Sequence, residues 1–346
     1  MEMNMETNSE HCLPHQQLSY GIGDTPVQAA VMTIGGVKRI VHLKLEGFNS
    51  TCSMKDRTAF ALIQALESRY GIQREATIIE STSGNLGVAL ARLCQMKGYR
   101  FIAVIDPKTT AENVARMQAF GAQVLMVRQA DQTGGYLLTR LACIKQLLRK
   151  HPDYYWTDQY ANPANPLAHY RSTGPEIYRQ MQQQVDAIFV PVSTGGTLAG
   201  IGKFFREVSP STRIIGVDAY GSVIFGTQPS PRKLTGIGSS QTSSFLQKDL
   251  YDEAMLVEDE RAFAFCRLLY TSLGIFVGGS SGAVLAACAS YLARHPEKQR
   301  IVCVCADHGE HYRSTIFNEG WLQEQGIELY ASHLEPLERI HGDVAE

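Results

Sequence analysis

Thr77-Ile-Ile-Glu-Ser-Thr-Ser-Gly-Asn-Leu-Gly-Val-Ala-Leu-Ala-Arg-Leu-Cys-Gln-Met-Lys97 decides the fold class. It opens with a short apolar run, Thr77–Glu80, and turns through small polar residues. It then continues from Asn85 to Lys97 with Val88, Leu90 and Leu93 on a helical pattern. Strand, polar turn and helix make one half of a βαβ unit, and the same rhythm recurs on both sides. Strands are predicted at Val41–Leu45, Thr77–Glu80, Phe101–Ile105, Gln123–Val127, Ala187–Val190, Arg213–Val217 and Ile301–Cys305. Helices are predicted at Asp56–Tyr70, Asn85–Lys97, Thr110–Phe120, Gly135–Leu148, Gly174–Gln184, Thr197–Glu207, Glu260–Ser272 and Ser281–Ala293. The expectation is an α/β protein with mostly parallel sheet and helices on both faces. The units between Lys55 and about Tyr154 follow one another closely enough for a compact sub-domain, with the rest as a larger lobe.

The composition supports this. The chain has 346 residues, of which 44% are hydrophobic and 19% charged, enough for a sizeable core and too apolar for disorder. With 32 Lys and Arg against 34 Asp and Glu, the net charge of −2 offers no cationic face for nucleic acid. No apolar run approaches the roughly 20 residues of a membrane span, and Met1 to Gln17 is polar rather than leader-like. No membrane partner and a cytoplasmic location are therefore expected. Eight scattered cysteines without a C-x-x-C pair read as reduced thiols, most of them buried. Cys303 and Cys305 fall on one face of a strand, near His308 and His311. A central strand followed by a polar loop accounts for them, so no metal site is expected.

Ligands of open α/β sheets bind beyond the carboxyl ends of strands, which directs attention to the loops there. Glu80-Ser-Thr-Ser-Gly-Asn-Leu-Gly87 sets hydroxyls, an amide and free N–H groups at a helix start, suited to a carboxylate or phosphate. The same residues serve equally as a plain N-cap. Val192-Ser-Thr-Gly-Gly-Thr-Leu198 again follows an apolar strand, and its glycines admit a phosphate to the backbone; a tight turn is the bland alternative. It lacks the P-loop lysine, and no G-x-G-x-x-G follows a strand, which argues against a dinucleotide. Gly278-Gly-Ser-Ser-Gly-Ala283 allows close packing or close approach of a flat ligand. Ser53-Met-Lys-Asp-Arg57 puts Lys55 at a helix start beside an apolar interior, where its ammonium form is disfavoured and its amine more available; a solvated surface lysine is the alternative. A Schiff-base lysine, a phosphate cup, a second anion pocket and a small-residue loop together are what pyridoxal phosphate requires.

With these residues in view, the chain resembles the cysteine synthase and cystathionine β-synthase family of fold-type II pyridoxal-phosphate enzymes, whose fold is like that of the tryptophan synthase β chain. The likeness runs from Gly23-Asp-Thr-Pro26 to about Thr315. It rests on Ser53-Met-Lys-Asp-Arg57, Thr82-Ser-Gly-Asn85, Gln159-Tyr-Ala-Asn-Pro163, Ser193-Thr-Gly-Gly-Thr197, Gly278-Gly-Ser-Ser-Gly282 and Gly309-Glu-His-Tyr312, in the family's order. The resemblance implies that Lys55 carries the cofactor and acts as the catalytic base. It implies that Asn85 meets the ring hydroxyl, that Ser193, Thr194, Gly195, Gly196 and Thr197 cup the phosphate, and that Ser280 faces the pyridine nitrogen. Thr82, Ser83, Asn85 and Gln159 are then expected to grip the carboxylate of an amino-acid substrate. It further implies a smaller mobile domain over 53–160, a larger cofactor-binding domain over 15–52 with 161–335, and a homodimer; the polar tails at 1–14 and 336–346 are expected to lack order on their own composition.

Two positions depart from the cysteine synthase pattern: Leu86 stands where threonine is typical, and Tyr160 where phenylalanine is common. Thr133-Gly-Gly-Tyr-Leu-Leu-Thr-Arg140, Gln159-Tyr-Ala-Asn-Pro163 and Gly216-Val-Asp-Ala-Tyr-Gly-Ser-Val-Ile-Phe-Gly226 are similar to a narrower subgroup. That subgroup joins O-phospho-L-serine and L-glutamate into N-(2-amino-2-carboxyethyl)-L-glutamate, towards 2,3-diaminopropionate for siderophores and peptide antibiotics. A dianionic leaving group and a dicarboxylate nucleophile need a donor-rich pocket, and Arg140, Tyr160 and Ser193 are the residues to supply it. Arg140 also suits a solvent-facing helix position. The alternatives are an O-phosphoserine or O-acetylserine sulfhydrylase, a cystathionine β-synthase, or a silent scaffold of the same fold.

Overall fold

A computed structural model of the chain describes residues 13–130, 135–329 and 335–340. The chain enters through α1 (Leu13–Ser19) and a hairpin of β1 (Val27–Ile34) and β2 (Val37–Leu45). Alternating helices and strands follow: α2 (Lys55–Tyr70), β3 (Thr77–Ser81), α3 (Asn85–Lys97), β4 (Arg100–Ile105), α4 (Ala111–Ala119), β5 (Gln123–Met126), α5 (Leu137–Lys150) and β6 (Tyr154–Trp156). The chain then runs through α6 (Ala164–Arg171), α7 (Thr173–Gln180), β7 (Ala187–Pro191), α8 (Gly196–Val208), β8 (Arg213–Ala219) and β9 (Glu253–Val257). It closes with α9 (Asp259–Leu273), α10 (Gly279–Arg294), β10 (Ile301–Cys305), α11 (Glu319–Glu324) and β11 (Glu338–Arg339).

The strands form two sheets. The larger has the order β11-β1-β2-β10-β7-β8-β9, antiparallel at the β11-β1-β2 edge and parallel from β2 onwards. The smaller, β5-β4-β3-β6, is parallel throughout. Such sheets must be covered on both faces, and the side-chain alternation of the central strands follows from that. Ile301, Cys303 and Cys305 of β10, with Ala187 and Phe189 of β7, pack into one apolar cluster with α9 and α10. Val302 and Val304, with Ile188 and Val190, point the other way towards Ile177 of α7 and Leu198, Ile201 and Phe205 of α8. Cys303 and Cys305 are thus core residues. In the small sheet, Ile78, Phe101, Ala103 and Ile105 face α2, α3 and α4, while Ile79, Ile102 and Val104 meet Ile144 of α5.

A buried ionic cluster joins the first hairpin to α2 and α7. Arg57 Nε lies 2.7 Å from Glu46 Oε2 and Arg57 Nη1 2.6 Å from Glu176 Oε1, while Lys44 Nζ lies 2.8 Å from Glu176 Oε2. Thr25 Oγ1 donates to Glu46 and accepts from Arg57. Two cations and two anions balance, and the side chains of Lys44, Glu46 and Arg57 are closed off from solvent. The cluster holds the first turn of α2 against the large sheet and so fixes where Lys55 stands.

Two expectations about the ends of the chain are corrected. Residues 13 and 14 begin α1, and Glu338–Arg339 pair with Ala30 and Val31 of β1, so the order reaches beyond Pro336. The reason for the second is an edge: β1 has backbone groups to satisfy, and Lys38 Nζ reaches Glu338 Oε2 at 2.7 Å across the join. Residues 1–12 and 341–346 lie outside the described residues. No helix among the described residues is long and apolar enough to cross a membrane.

Candidate active site

The turns after β2, β3, β7 and β10 meet in one place. Lys55 is the first residue of α2, and the segment before it is laced to the turn after β10. Met54 N donates to Ala306 O at 2.8 Å, His308 N donates to Cys52 O at 3.0 Å, and Ser53 and Asp307 form a β-bridge. Burial pulls the Lys55 amine below the ordinary lysine range, opposed by the negative charges of Asp307 and Glu46. An amine whose charged form is disfavoured at this point suits both a covalent attachment site and a proton carrier.

The turn after β3 is held from below. Glu80, the fourth residue of β3, is buried and accepts from Ser81 N at 2.7 Å, Gln159 N at 3.1 Å and the Thr157 hydroxyl. Burial raises its pKa to about 7 against those donors. Gln159 Nε2 donates to Ser81 O at 2.8 Å, so Gln159 stands directly beside Thr82 and Ser83. Asn85, the first residue of α3, reaches across to the large sheet and donates from Nδ2 to Asp307 Oδ2 at 2.7 Å. Thr82, Ser83 and Asn85 thus share the turn after β3, and Gln159 is bonded to Ser81 at its start. Leu86, a departure from the cysteine synthase pattern, is buried in the α2–α3–α4 core.

The turn after β7 leads into the 13 residues of α8, whose first N–H groups lack partners within the helix. Gly195 sits at φ +88°, open to glycine and strained for other residues, and a Cβ there meets Ser243 Oγ at 2.2 Å. A Cβ on Gly196 meets Asn165 Oδ1 at 2.1 Å. Asn165 Nδ2 bridges Gln159 O at 2.8 Å and Thr194 Oγ1 at 3.1 Å, tying the two turns together. Thr197 Oγ1 and Thr58 Oγ1 both lie 3.2 Å from His169 Nε2, which links the start of α8 to the first turn of α2. Burial, then the charges of Lys55 and Arg57, hold His169 well below its usual pKa, so it serves as a neutral strut. Ser193 Oγ donates to Gly238 O at 3.4 Å.

Ser280, the second residue of α10, is 1% exposed, and its Oγ has no hydrogen-bond partner among the described residues. An orphaned buried hydroxyl calls for an explanation, and a ligand atom in contact with it is the simplest. A neutral donor for a ring nitrogen, a glycine turn at a helix start for a phosphate and an amine at the start of α2 are the donor set of pyridoxal phosphate, and the residues present fit it.

A family model described as pyridoxal-phosphate dependent enzyme matches residues 18–307. The chain belongs to that family. Within the pyridoxal-phosphate dependent enzymes, it is 41% identical over 301 residues to N-(2-amino-2-carboxyethyl)-L-glutamate synthase of Ralstonia nicotianae, covering 87% of this chain and 89% of that one. The protein of the same name from Cupriavidus metallidurans is 40% identical over 304 residues, with the same coverage. Among solved structures, O-ureido-L-serine synthase is similar with a TM-score of 0.79 and 29% identity, covering 88% of this chain and 97% of that one.

Arg140 and Tyr160 stand at the carboxyl edge of the small sheet. Arg140 is 7% exposed, with Nε 3.3 Å from Asp106 Oδ2, and its Nε and Nη1 make no hydrogen bond among the described residues. Its position is buried rather than solvent-facing. Burial raises the Tyr160 phenol to about 12, with the Arg140 guanidinium beside it pulling the other way. Ser244 Oγ, in the segment between β8 and β9, donates to Tyr160 O at 2.7 Å, and its neighbour Ser243 donates to Thr194 O in the turn after β7. Thr133 and Gly134, from the motif ending in Arg140, lie outside the described residues. Sequence reasoning missed Asp307, Asn165 and His169. The signal for Asp307 was a lone carboxylate two residues past an all-apolar strand. Asn165 and His169 carried none.

Proposed function

We propose that this enzyme replaces the phosphate of O-phospho-L-serine with the amine of L-glutamate, giving N-(2-amino-2-carboxyethyl)-L-glutamate and inorganic phosphate for 2,3-diaminopropionate synthesis. The observation that carries the reading is the buried Arg140 guanidinium beside the Tyr160 phenol, next to the Thr82-Ser83-Gln159 group. Two acidic substrates need such donors, and sulfide does not. The names of the relatives that are 40% and 41% identical support the same reading.

In this proposal Ser193, Thr194, Gly195, Gly196 and Thr197 hold the cofactor phosphate, Asn85 its ring oxygen and Ser280 its ring nitrogen. Bound pyridoxal phosphate supplies an electron sink that lets the Cα–H bond ionise and the β-substituent leave. Lys55 would hold the cofactor and, with its amine at the start of α2, would remove the Cα proton and later return it. Thr82, Ser83 and Gln159 fix the substrate carboxylate through hydroxyl and amide donors. Arg140 neutralises the departing phosphate and then the side-chain carboxylate of glutamate, and Tyr160 and Ser193 donate hydrogen bonds to them. Segment 53–160 closes over the large sheet to exclude water. The protein works as a cytoplasmic homodimer, an assembly that sedimentation of the purified enzyme checks.

The test is a titration of the purified holoenzyme with O-phospho-L-serine, then L-glutamate, sulfide or homocysteine in parallel, following the cofactor absorbance, released phosphate and product mass. The expected outcome is a spectral change on phosphoserine that glutamate alone reverses with formation of the adduct. Reversal by sulfide and not by glutamate makes the protein a sulfhydrylase instead.

A further inference from the structure

Asp307 is the buried carboxylate to which the active-site turns are tied, and none of the roles assigned above uses it. It is 2% exposed. Its Oδ2 accepts two hydrogen bonds, from Asn85 Nδ2 at 2.7 Å and from the Tyr312 hydroxyl at 2.6 Å. Its Oδ1 has no hydrogen-bond partner among the described residues and occupies the space a side chain at position 278 would need: a Cβ on Gly278 meets it at 2.1 Å. A second acceptor site on a buried carboxylate, turned towards the Gly278–Ser280 turn and left bare, is costly without a reason.

The Asn85 amide is asymmetric: its nitrogen donates two hydrogens and its oxygen only accepts. An ionised carboxylate only accepts, so Asp307 admits the nitrogen of Asn85 on its side and repels the oxygen. One Nδ2 hydrogen is used on Asp307, and the other is directed away from it. We propose that Asp307 is a positioning residue: in its ionised form it locks the orientation of the Asn85 amide so that the second hydrogen is presented to the cofactor ring oxygen, and it places a negative charge near Lys55. This rests on the placement of Asn85 against the ring oxygen proposed above.

The charges around Asp307 are few. Burial pushes the Asp307 carboxyl above its ordinary range, opposed by the hydrogen bonds from Tyr312 and Asn85 and by the charges of Lys55 of α2 and Arg116 of α4. The thiols of Cys266 on α9 and Cys305 on β10 and the phenol of Tyr312 are kept neutral by burial. Glu46 adds a second negative charge on Lys55. Removing the Asp307 charge therefore leaves the Lys55 nitrogen with less support for its proton.

The experiment compares holoenzymes of the wild type, Asp307→Asn, Asn85→Ala and the double variant, reading the cofactor absorbance as a function of pH, cofactor retention by equilibrium dialysis, and thermal midpoints with and without cofactor. Asp307→Asn is expected to lower the pH at which the protonated cofactor band is lost by about one unit and to weaken retention on the order of tenfold. In the Asn85→Ala background the same change is expected to leave retention where it was, because the amide it acts through is gone. An unchanged band profile and unchanged retention, with only a lower thermal midpoint, reduces Asp307 to a structural residue and overturns the proposal. Should Asp307→Asn not fold, Tyr312→Phe withdraws one donor from the same oxygen, concentrates the negative charge and is expected to raise the band's pH midpoint; no movement overturns the proposal. A wild type that binds no pyridoxal phosphate at all sinks the functional reading itself, a separate outcome.

Discussion

Arg140 concentrates the specificity question in one side chain. A guanidinium 7% exposed, held at one end by Asp106 and at the other by Tyr160, is expensive to bury unless an anion completes it. Replacing it by alanine removes charge-assisted hydrogen bonds of about 1.5–3 kcal/mol. The expected result is a fall in kcat/KM for phosphoserine with glutamate of roughly ten- to a hundredfold. Tyr160→Phe is expected to lose less, because a neutral phenol contributes one weaker bond. Steady-state kinetics with each substrate varied check this, and equal activity of wild type and Arg140→Ala removes Arg140 from the site. Residues of this kind were readable from sequence when a local pattern marked them. The candidates Lys55 and Ser280 stand in the first turn of a helix and Ser193 in the turn leading into one, with small or apolar neighbours, a pattern a single stretch displays. Asp307 was not readable as a partner of Asn85, since 222 positions separate them and only the fold brings the two sheets together.

At the scale of elements, the packing of α6 against α8 decides whether the phosphate turn keeps its shape. Asn165 fills the space beside Gly196 and ties Thr194 to Gln159, so the phosphate and carboxylate turns share one strut. Gly196→Ala must push that strut aside. A loss of stability of about 1–3 kcal/mol is expected from the overpacking, together with a larger loss of cofactor retention, read by a thermal melt and by dialysis. A variant that melts lower but retains cofactor normally contradicts the strut. Element prediction succeeded where the period was clean: α3 and β10 have the predicted limits, and the other predicted helices and strands differ at their ends by a few residues. It missed β1, the antiparallel partner of β2, the short elements α1, α11 and β11, β6, only three residues long, and β9, whose side chains alternate in exposure at a sheet edge. It also missed α6, where Pro163 and Pro166 disguise a helical turn that accepts proline at its start.

For the whole molecule, the cluster of Lys44, Glu46, Arg57 and Glu176 couples the hairpin, α2 and α7. Glu176→Gln leaves two buried cations facing one carboxylate, and a cost of about 3–5 kcal/mol is expected. The sign of its pH dependence follows from the pKa. Burial opposes ionisation of Glu176, but the Arg57 and Lys44 contacts outweigh it and hold the group at about 2 against 4.5 for an ordinary glutamate. Its stabilising contribution is therefore complete above about pH 4.5 and is lost as pH falls towards 2. Urea unfolding of wild type and Glu176→Gln across that window is expected to converge at the acid end; parallel curves argue against the pair. The sequence displayed the alternation that builds both sheets but not their order, which depends on crossovers that spacing does not encode. The pairing of Glu338–Arg339 with β1 has a bearing on behaviour in concentrated solution. A bare outer strand is a template on which a neighbouring molecule can add its own. The late segment lays a short, charged rung across the middle of β1, at Ala30 and Val31, and so interrupts the run of backbone groups that such an addition would need.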